Sequence, residues 1–172
     1  MKIVLIGFMG SGKTSVAEIL AKNLSLKSID MDELILKLSG FKSINEIFEK
    51  KGEKYFRAME LVLAGKLADT DDTVISTGGG VVMSKQTMDS LSKNSVVIYL
   101  RLSFDIAGKR VSQKKIKPPL FQDINQAKRL FDKREPLYIS CADIIVDTDN
   151  RNLNEVLESI IVELKKGKNG RK

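Results

Sequence analysis

The chain has 172 residues, 42% of them hydrophobic and 30% charged, with a formal net charge of +7 and no histidine. This length fits one domain with a real core, and the missing histidine excludes that residue as general base, nucleophile partner or metal ligand. The last eight residues, KKGKNGRK, hold five basic groups and no acid, so the rest of the chain is close to balance and its charge does not point to nucleic acid.

KIVLIG, residues 2–7, is a continuous apolar run of the kind a strand buried on both faces requires. It is too short for a signal peptide, and no apolar run in the chain approaches a membrane span. GFMGSGKT, residues 7–14, follows at once and fits the phosphate-loop pattern G-x-x-x-x-G-K-[ST]. Gly7, Gly10 and Gly12 let backbone N–H groups turn inward, so the stretch Gly10, Ser11, Gly12, Lys13, Thr14, Ser15 is expected to cradle nucleotide phosphates. Lys13 brings charge to the terminal phosphates, and Thr14 offers a hydroxyl to Mg²⁺. Val16, Ile19, Leu20 and Leu24 continue at helical spacing, the context that the motif demands.

KSIDMD, residues 27–32, reads as a second strand. Asp30 and Asp32 stand two apart, on one face of a strand, as candidates for Mg²⁺ and a substrate hydroxyl; the competing reading is an acidic turn that caps the next helix. Ser43 and Glu46 fit a capping box, Gly52 suits the end of that short helix, and Phe56, Met59, Leu63 and Leu67 mark one face of a longer one. TVIST, residues 73–77, is a third strand that runs into Gly78, Gly79 and Gly80. Three glycines cost much backbone entropy. At the sheet edge that holds the phosphate loop they would let a ligand lie against the backbone, whereas the bland reading is a tight turn. SVVIYL, residues 95–100, is a fourth strand. Residues 112–126, SQKKIKPPLFQDINQ, broken by Pro118 and Pro119, read as a mobile surface segment. By composition alone Arg57 and Arg134 read as solvated arginines rather than ligands. Cys141 cannot form an intrachain disulfide, reads as a small buried residue and suits a reducing cytoplasm. ADIIVD, residues 142–147, is a fifth strand, and residues 153–166 carry Val156, Leu157, Ile160, Ile161 and Leu164 at helical spacing. Strands alternating with helices predict an α/β sandwich around a mostly parallel sheet. One domain is expected over 1–166, with a disordered basic tail over 167–172.

GFMGSGKT, DMD, GEKYFR, STGGGVV, KREPLY and IIVDT, in this order and spacing, resemble the shikimate kinases, over nearly the whole chain from about residue 3 to 165. The resemblance implies a three-layer P-loop fold like that of the nucleoside monophosphate kinases, with five parallel strands in the order 2-3-1-4-5. It implies ATP-dependent phosphorylation of the shikimate 3-hydroxyl, on the way to chorismate and the aromatic amino acids. Lys13 and Thr14 match the family's phosphate lysine and Mg²⁺ hydroxyl, and Asp30 the acid that assists Mg²⁺ through water. Asp32 matches the residue that grips the ring hydroxyls and accepts the proton. Arg57 and Arg134 match the carboxylate-binding arginines, and Gly78, Gly79 and Gly80 the loop whose backbone meets the substrate. Arg110 resembles the arginine on the adenine ring, and the loop 147–153, with Arg151, covers the other adenine face. Pro118 stands where the family's lid, here about 112–126, usually carries an arginine. Either Lys117 supplies the missing cation or another residue, such as Arg110, covers the phosphate. The implied partners are ATP and shikimate, with no nucleic acid and no membrane, and a monomer is expected. Gluconate kinase and nucleoside monophosphate kinase activities, and a non-catalytic nucleotide-binding role with an RNA-touching tail, are the alternatives.

Overall fold

A computed structural model describes residues 1–113, 121 and 123–169. The elements run β1 (Lys2–Ile6), α1 (Lys13–Leu24), β2 (Lys27–Asp30), α2 (Met31–Ser39), α3 (Ile44–Leu67), β3 (Thr73–Ser76), α4 (Lys85–Ser92), β4 (Ser95–Arg101), α5 (Phe104–Ser112), α6 (Ile124–Cys141), β5 (Ile144–Asp147) and α7 (Leu153–Asn169). A 3₁₀ turn, Val81–Met83, joins β3 to α4. The sheet order is β2-β3-β1-β4-β5, and every pairing is parallel. That matches the order implied by the resemblance.

The apolar run of β1 explains the layering. Successive strand side chains point to opposite faces, so Ile3 and Leu5 join one core while Val4 and Ile6 join the other. The first core packs Val16 and Leu20 of α1 and Val156 and Ile160 of α7 beneath the sheet. The second packs α2, α3, α4 and α6 above it, through residues such as Ile35, Phe56, Met88 and Phe131. β1 is buried throughout because strands lie on both sides of it and helices on both faces.

As expected, Gly52 ends the first helical piece of α3: its backbone leaves the helical region at φ 79°, and a second, longer piece follows. Three local readings come out differently. Glu46 donates its N–H to Oγ of the cap Ser43, yet its carboxylate accepts from the N–H of Lys42, one residue before the place a capping box requires. Cys141 is half-buried rather than enclosed. α7 runs three residues beyond the expected end at 166. No helix among the described residues is long and apolar enough to cross a membrane.

Candidate active site

The carboxyl ends of β1, β2 and β3 open on one cleft, where parallel sheets of this kind bind ligands. Its cavity of about 850 Å³ is lined by the phosphate loop, Asp30, Asp32, Arg57, Glu60, the triglycine loop, Arg110 and Arg134. A shallower groove of about 300 Å³ between α2 and α3 is lined mainly by apolar groups and lies away from both glycine loops.

One wall is built for anions. β1 ends at Ile6, and the chain turns through Gly10 and Gly12, both at positive φ, into α1. Gly12 is the cap residue of α1, no side chain caps that end, and no acid stands in its first turn. The first N–H groups of the helix therefore face the cleft with their positive end of the dipole uncompensated. The Lys13 ammonium, largely buried, lies along the loop, donating to Gly7 O at 2.8 Å, Phe8 O at 3.1 Å and Ser11 Oγ at 3.4 Å. Thr14 Oγ1 donates to Asp30 Oδ2 at 2.8 Å. Arg110 ties the loop to the end of β5, donating to Gly10 O at 3.0 Å and to Thr148 O at 2.5 Å.

Asp30 and Asp32 do not share a strand face. Asp30 Oδ1 accepts from the N–H groups of Asp32 at 3.0 Å and Glu33 at 3.2 Å. It thereby caps α2, and Asp32 falls in the first helical turn. The capping reading holds for Asp30, and its second oxygen takes the Thr14 hydroxyl. Asp32 Oδ1 is buried without a hydrogen-bond partner. Burial first, and then Asp30, push its carboxyl above the ordinary aspartate range, while Lys13 and Arg57 pull the other way.

The opposite wall is arginine. Arg57 Nη1 donates to Glu60 Oε2 at 2.5 Å, and Nη2 to Glu53 Oε1 at 2.9 Å. Glu60 is 1% exposed, and burial raises its pKa against the pull of Arg57. Arg134, from α6, is 7% exposed, and its Nε has no hydrogen-bond partner. Burial lowers its pKa, an effect that the neighbouring Arg57 adds to and Tyr138 opposes. The Tyr138 hydroxyl donates to Gly79 O. Burial holds this phenol well above the usual tyrosine range, so it keeps its proton.

The triglycine loop lies between the two walls. Thr77 fastens it to β1, its N–H and its hydroxyl both donating to Leu5 O. None of the three glycines has a positive φ; what they supply is room. A Cβ on Gly78 would stand 2.8 Å from Asp32 Oδ1 and 3.0 Å from Glu60 Oε1, and one on Gly80 only 2.3 Å from Arg57 Nη2. Asp32, Glu60 and Arg57 press directly on the loop backbone.

The cleft thus brings together Gly10, Gly12, Lys13, Thr14, Ser15, Asp30, Asp32, Arg57, Gly78, Gly79, Gly80, Arg110 and Arg134. Ser11 is buried beneath the Lys13 ammonium. Arg151 turns to α7 instead, donating to Glu155 O at 2.7 Å and Ser159 Oγ at 2.6 Å. Lys117, Pro118 and most of the expected lid lie outside the described residues. Sequence reasoning missed Glu53, Glu60 and Tyr138. Their signal was helical spacing: four before and three after Arg57, and four after Arg134.

The family model for shikimate kinase matches residues 9–165. A shikimate kinase from Thermodesulfovibrio yellowstonii is 42% identical over 172 aligned residues, covering 98% of each chain. The solved shikimate kinase from Acinetobacter baumannii, in complex with shikimate, superposes with a TM-score of 0.90 at 30% identity, over 97% of this chain and 94% of that one. A gluconokinase from Sinorhizobium meliloti, at 17% identity and a TM-score of 0.58 over 96% and 91% of the two chains, shares the fold alone. With the two glycine loops and the acid and arginine groups gathered in one cleft, these matches place the chain in the shikimate kinase family.

Proposed function

We propose that this chain transfers the γ-phosphoryl group of ATP to the 3-hydroxyl of shikimate, with the phosphate loop holding the donor and the triglycine wall the acceptor. The observation that carries this reading is the cleft that brings an uncapped helix N-terminus together with a buried arginine, Arg134, a half-buried one, Arg57, and Asp32. Phosphoryl transfer asks the protein mainly for alignment and charge neutralisation. Lys13, released from the loop carbonyls, and the N–H groups of α1 meet the phosphate oxygens. Arg134 and Arg57 take the acceptor's carboxylate, for which a planar guanidinium offers two parallel hydrogen bonds. Asp32 orients the hydroxyl and accepts its proton as the new O–P bond forms and the bond to ADP breaks; its raised pKa suits that task.

The residues present fit Mg²⁺. Thr14 and Asp30 set a hydroxyl and a carboxylate 2.8 Å apart at the phosphate wall. Such hard oxygen donors suit an ion that shares its shell with phosphates and water. When bound, the ion neutralises charge on the phosphates and helps align them. We place the adenine ring against Arg110, which lines the cleft beside the phosphate loop. We further propose a monomer, acting in the reducing cytoplasm that its single cysteine suits.

The test is ADP release from ATP and Mg²⁺ with shikimate, gluconate, AMP or RNA added singly. Release with shikimate alone is expected. Release with gluconate or AMP, and none with shikimate, would overturn the reading.

A further inference from the structure

Arg57 and Arg134 face the same cleft but are held very differently. Arg57 bonds to two acids, Glu53 and Glu60, so much of its charge is already met within the protein. Arg134 pairs with no acid among the described residues, is buried, and has an Nε without a partner. A buried cation held this way is costly, and Arg57 beside it adds like-charge repulsion. Tyr138 stands one helical turn further along α6, so its hydroxyl and the Arg134 guanidinium share one side of the helix.

A tyrosine hydroxyl has one proton to donate and lone pairs to accept with. The Tyr138 proton is committed to Gly79 O. Its lone pairs are therefore left for the guanidinium. The ring cannot turn away readily, because it is fully buried and stacks on Tyr99, with centroids 5.0 Å apart and planes at 23°. An acid in this place would hold Arg134 more firmly, but it would neutralise the arginine and compete with any carboxylate ligand.

We propose that Tyr138 is a positioning residue for the acceptor site: it aims Arg134 while leaving its charge unspent, and it locks that arginine to the triglycine loop through Gly79. Arg134, rather than the paired Arg57, is then the main source of attraction for the substrate's carboxylate. This inference rests on the reading of the cleft as a site for shikimate.

The experiment compares wild type with Tyr138→Phe, which keeps the ring and its stack but removes the hydroxyl. Each is assayed with shikimate and with the analogue whose carboxylate is reduced to a primary alcohol. The variant should raise KM for shikimate roughly tenfold or more, as expected for losing a hydrogen bond to a charged group. Its KM for ATP should stay within about twofold of wild type, and the analogue should be used equally by both enzymes. A shikimate KM like that of wild type overturns the inference, as does an equal loss with shikimate and analogue, which would mean the hydroxyl serves the loop alone. If Tyr138→Phe does not fold, an ortho-fluorotyrosine at 138 retains the hydroxyl but weakens its acceptance. The same difference between shikimate and analogue is then expected at smaller size, and no difference overturns the inference. Wild type that fails to phosphorylate shikimate refutes the functional reading itself and this inference with it; an active wild type beside an indifferent variant refutes only the inference.

Discussion

Of the three glycines of the loop, Gly80 leaves the least room for a side chain, because Arg57 lies against it, and Gly80→Ala tests that approach with one methyl. The new Cβ would lie 2.3, 2.5 and 2.6 Å from Nη2, Nη1 and Cζ of Arg57. Ordinary contact begins near 3.4 Å, so one partner must retreat by about 1 Å. The loop is anchored to β1 through Thr77, whereas the guanidinium is the far end of a flexible side chain, so the guanidinium gives way. That retreat takes Nη1 from its 2.5 Å bond to Glu60, whose side chain is only 2% exposed and would be left buried without its cation. Losing a charged hydrogen bond costs about 1.5–3 kcal/mol. The variant should therefore lose stability of that order and melt at a lower temperature, and its KM for shikimate should rise about tenfold to a hundredfold, with ATP binding little changed. Gly65→Ala is the control. It lies in α3, a Cβ there would meet nothing within 4 Å, and alanine is favoured over glycine in a helix by up to about 1 kcal/mol. It should be at least as stable as wild type, with unchanged KM. Melting curves and an ADP-release assay at varied shikimate measure both. A Gly80→Ala enzyme with wild-type KM would refute the argument that the glycine exists to admit Arg57.

Three further outcomes are expected. Asp32→Asn should lower turnover strongly yet raise Tm at pH 7. A carboxyl whose folded pKa lies above its unfolded value contributes stability in full below the unfolded value and loses it as pH rises through the folded one, so the Tm gain should shrink as pH falls toward about 4. A lower Tm at pH 7 would mean that Lys13 and Arg57 outweigh burial. Arg134→Lys should weaken shikimate binding about tenfold to a hundredfold and ATP binding little, because a fork becomes a point charge; titrations showing the reverse would move Arg134 to the nucleotide side. For the lid, Lys117→Ala should reduce turnover while Lys114→Ala does little, and equal, minor effects in an ADP-release assay would remove Lys117 from the reaction.

The strands and the phosphate loop were legible because their signals are local: a doubly buried strand needs a continuous apolar run, and KIVLIG leads straight into the glycine–lysine pattern. The register of Asp32 was less so, since the choice between strand and capped helix turned on which N–H groups the Asp30 carboxylate would take. The triglycine stretch was visible as a loop, but its physical cause was hidden. The groups that press on it, Asp32, Glu60 and Arg57, come from α2 and α3 and reach it only in the folded chain. Glu53 and Glu60 looked like ordinary surface partners of Arg57 at helical spacing. Nothing local announces that one of them is half-exposed or more and the other almost wholly buried.

The order of strands has a consequence for how the cleft comes into being. β1 and β2 follow each other in the chain but never pair; β3 is inserted between them, with Val4 beside Ile75 on one side and Ile29 beside the same Ile75 on the other. Residues before 68 already contain the phosphate loop, Asp30, Asp32, Arg57 and Glu60. Without Thr73–Ser76, though, the two halves of the cleft are on strands with a gap between them. Closing that gap draws β1 and β3 together across some seventy residues, a long-range step that folds slowly because chain entropy is lost before contacts repay it. The same four-residue strand carries the triglycine loop at its end. Its insertion joins β2 to β1, seats the triglycine loop and brings Asp32, Arg57 and Glu60 within reach of the phosphate loop in one event, so a partly folded chain holds most of the reactive groups but none of the enzyme.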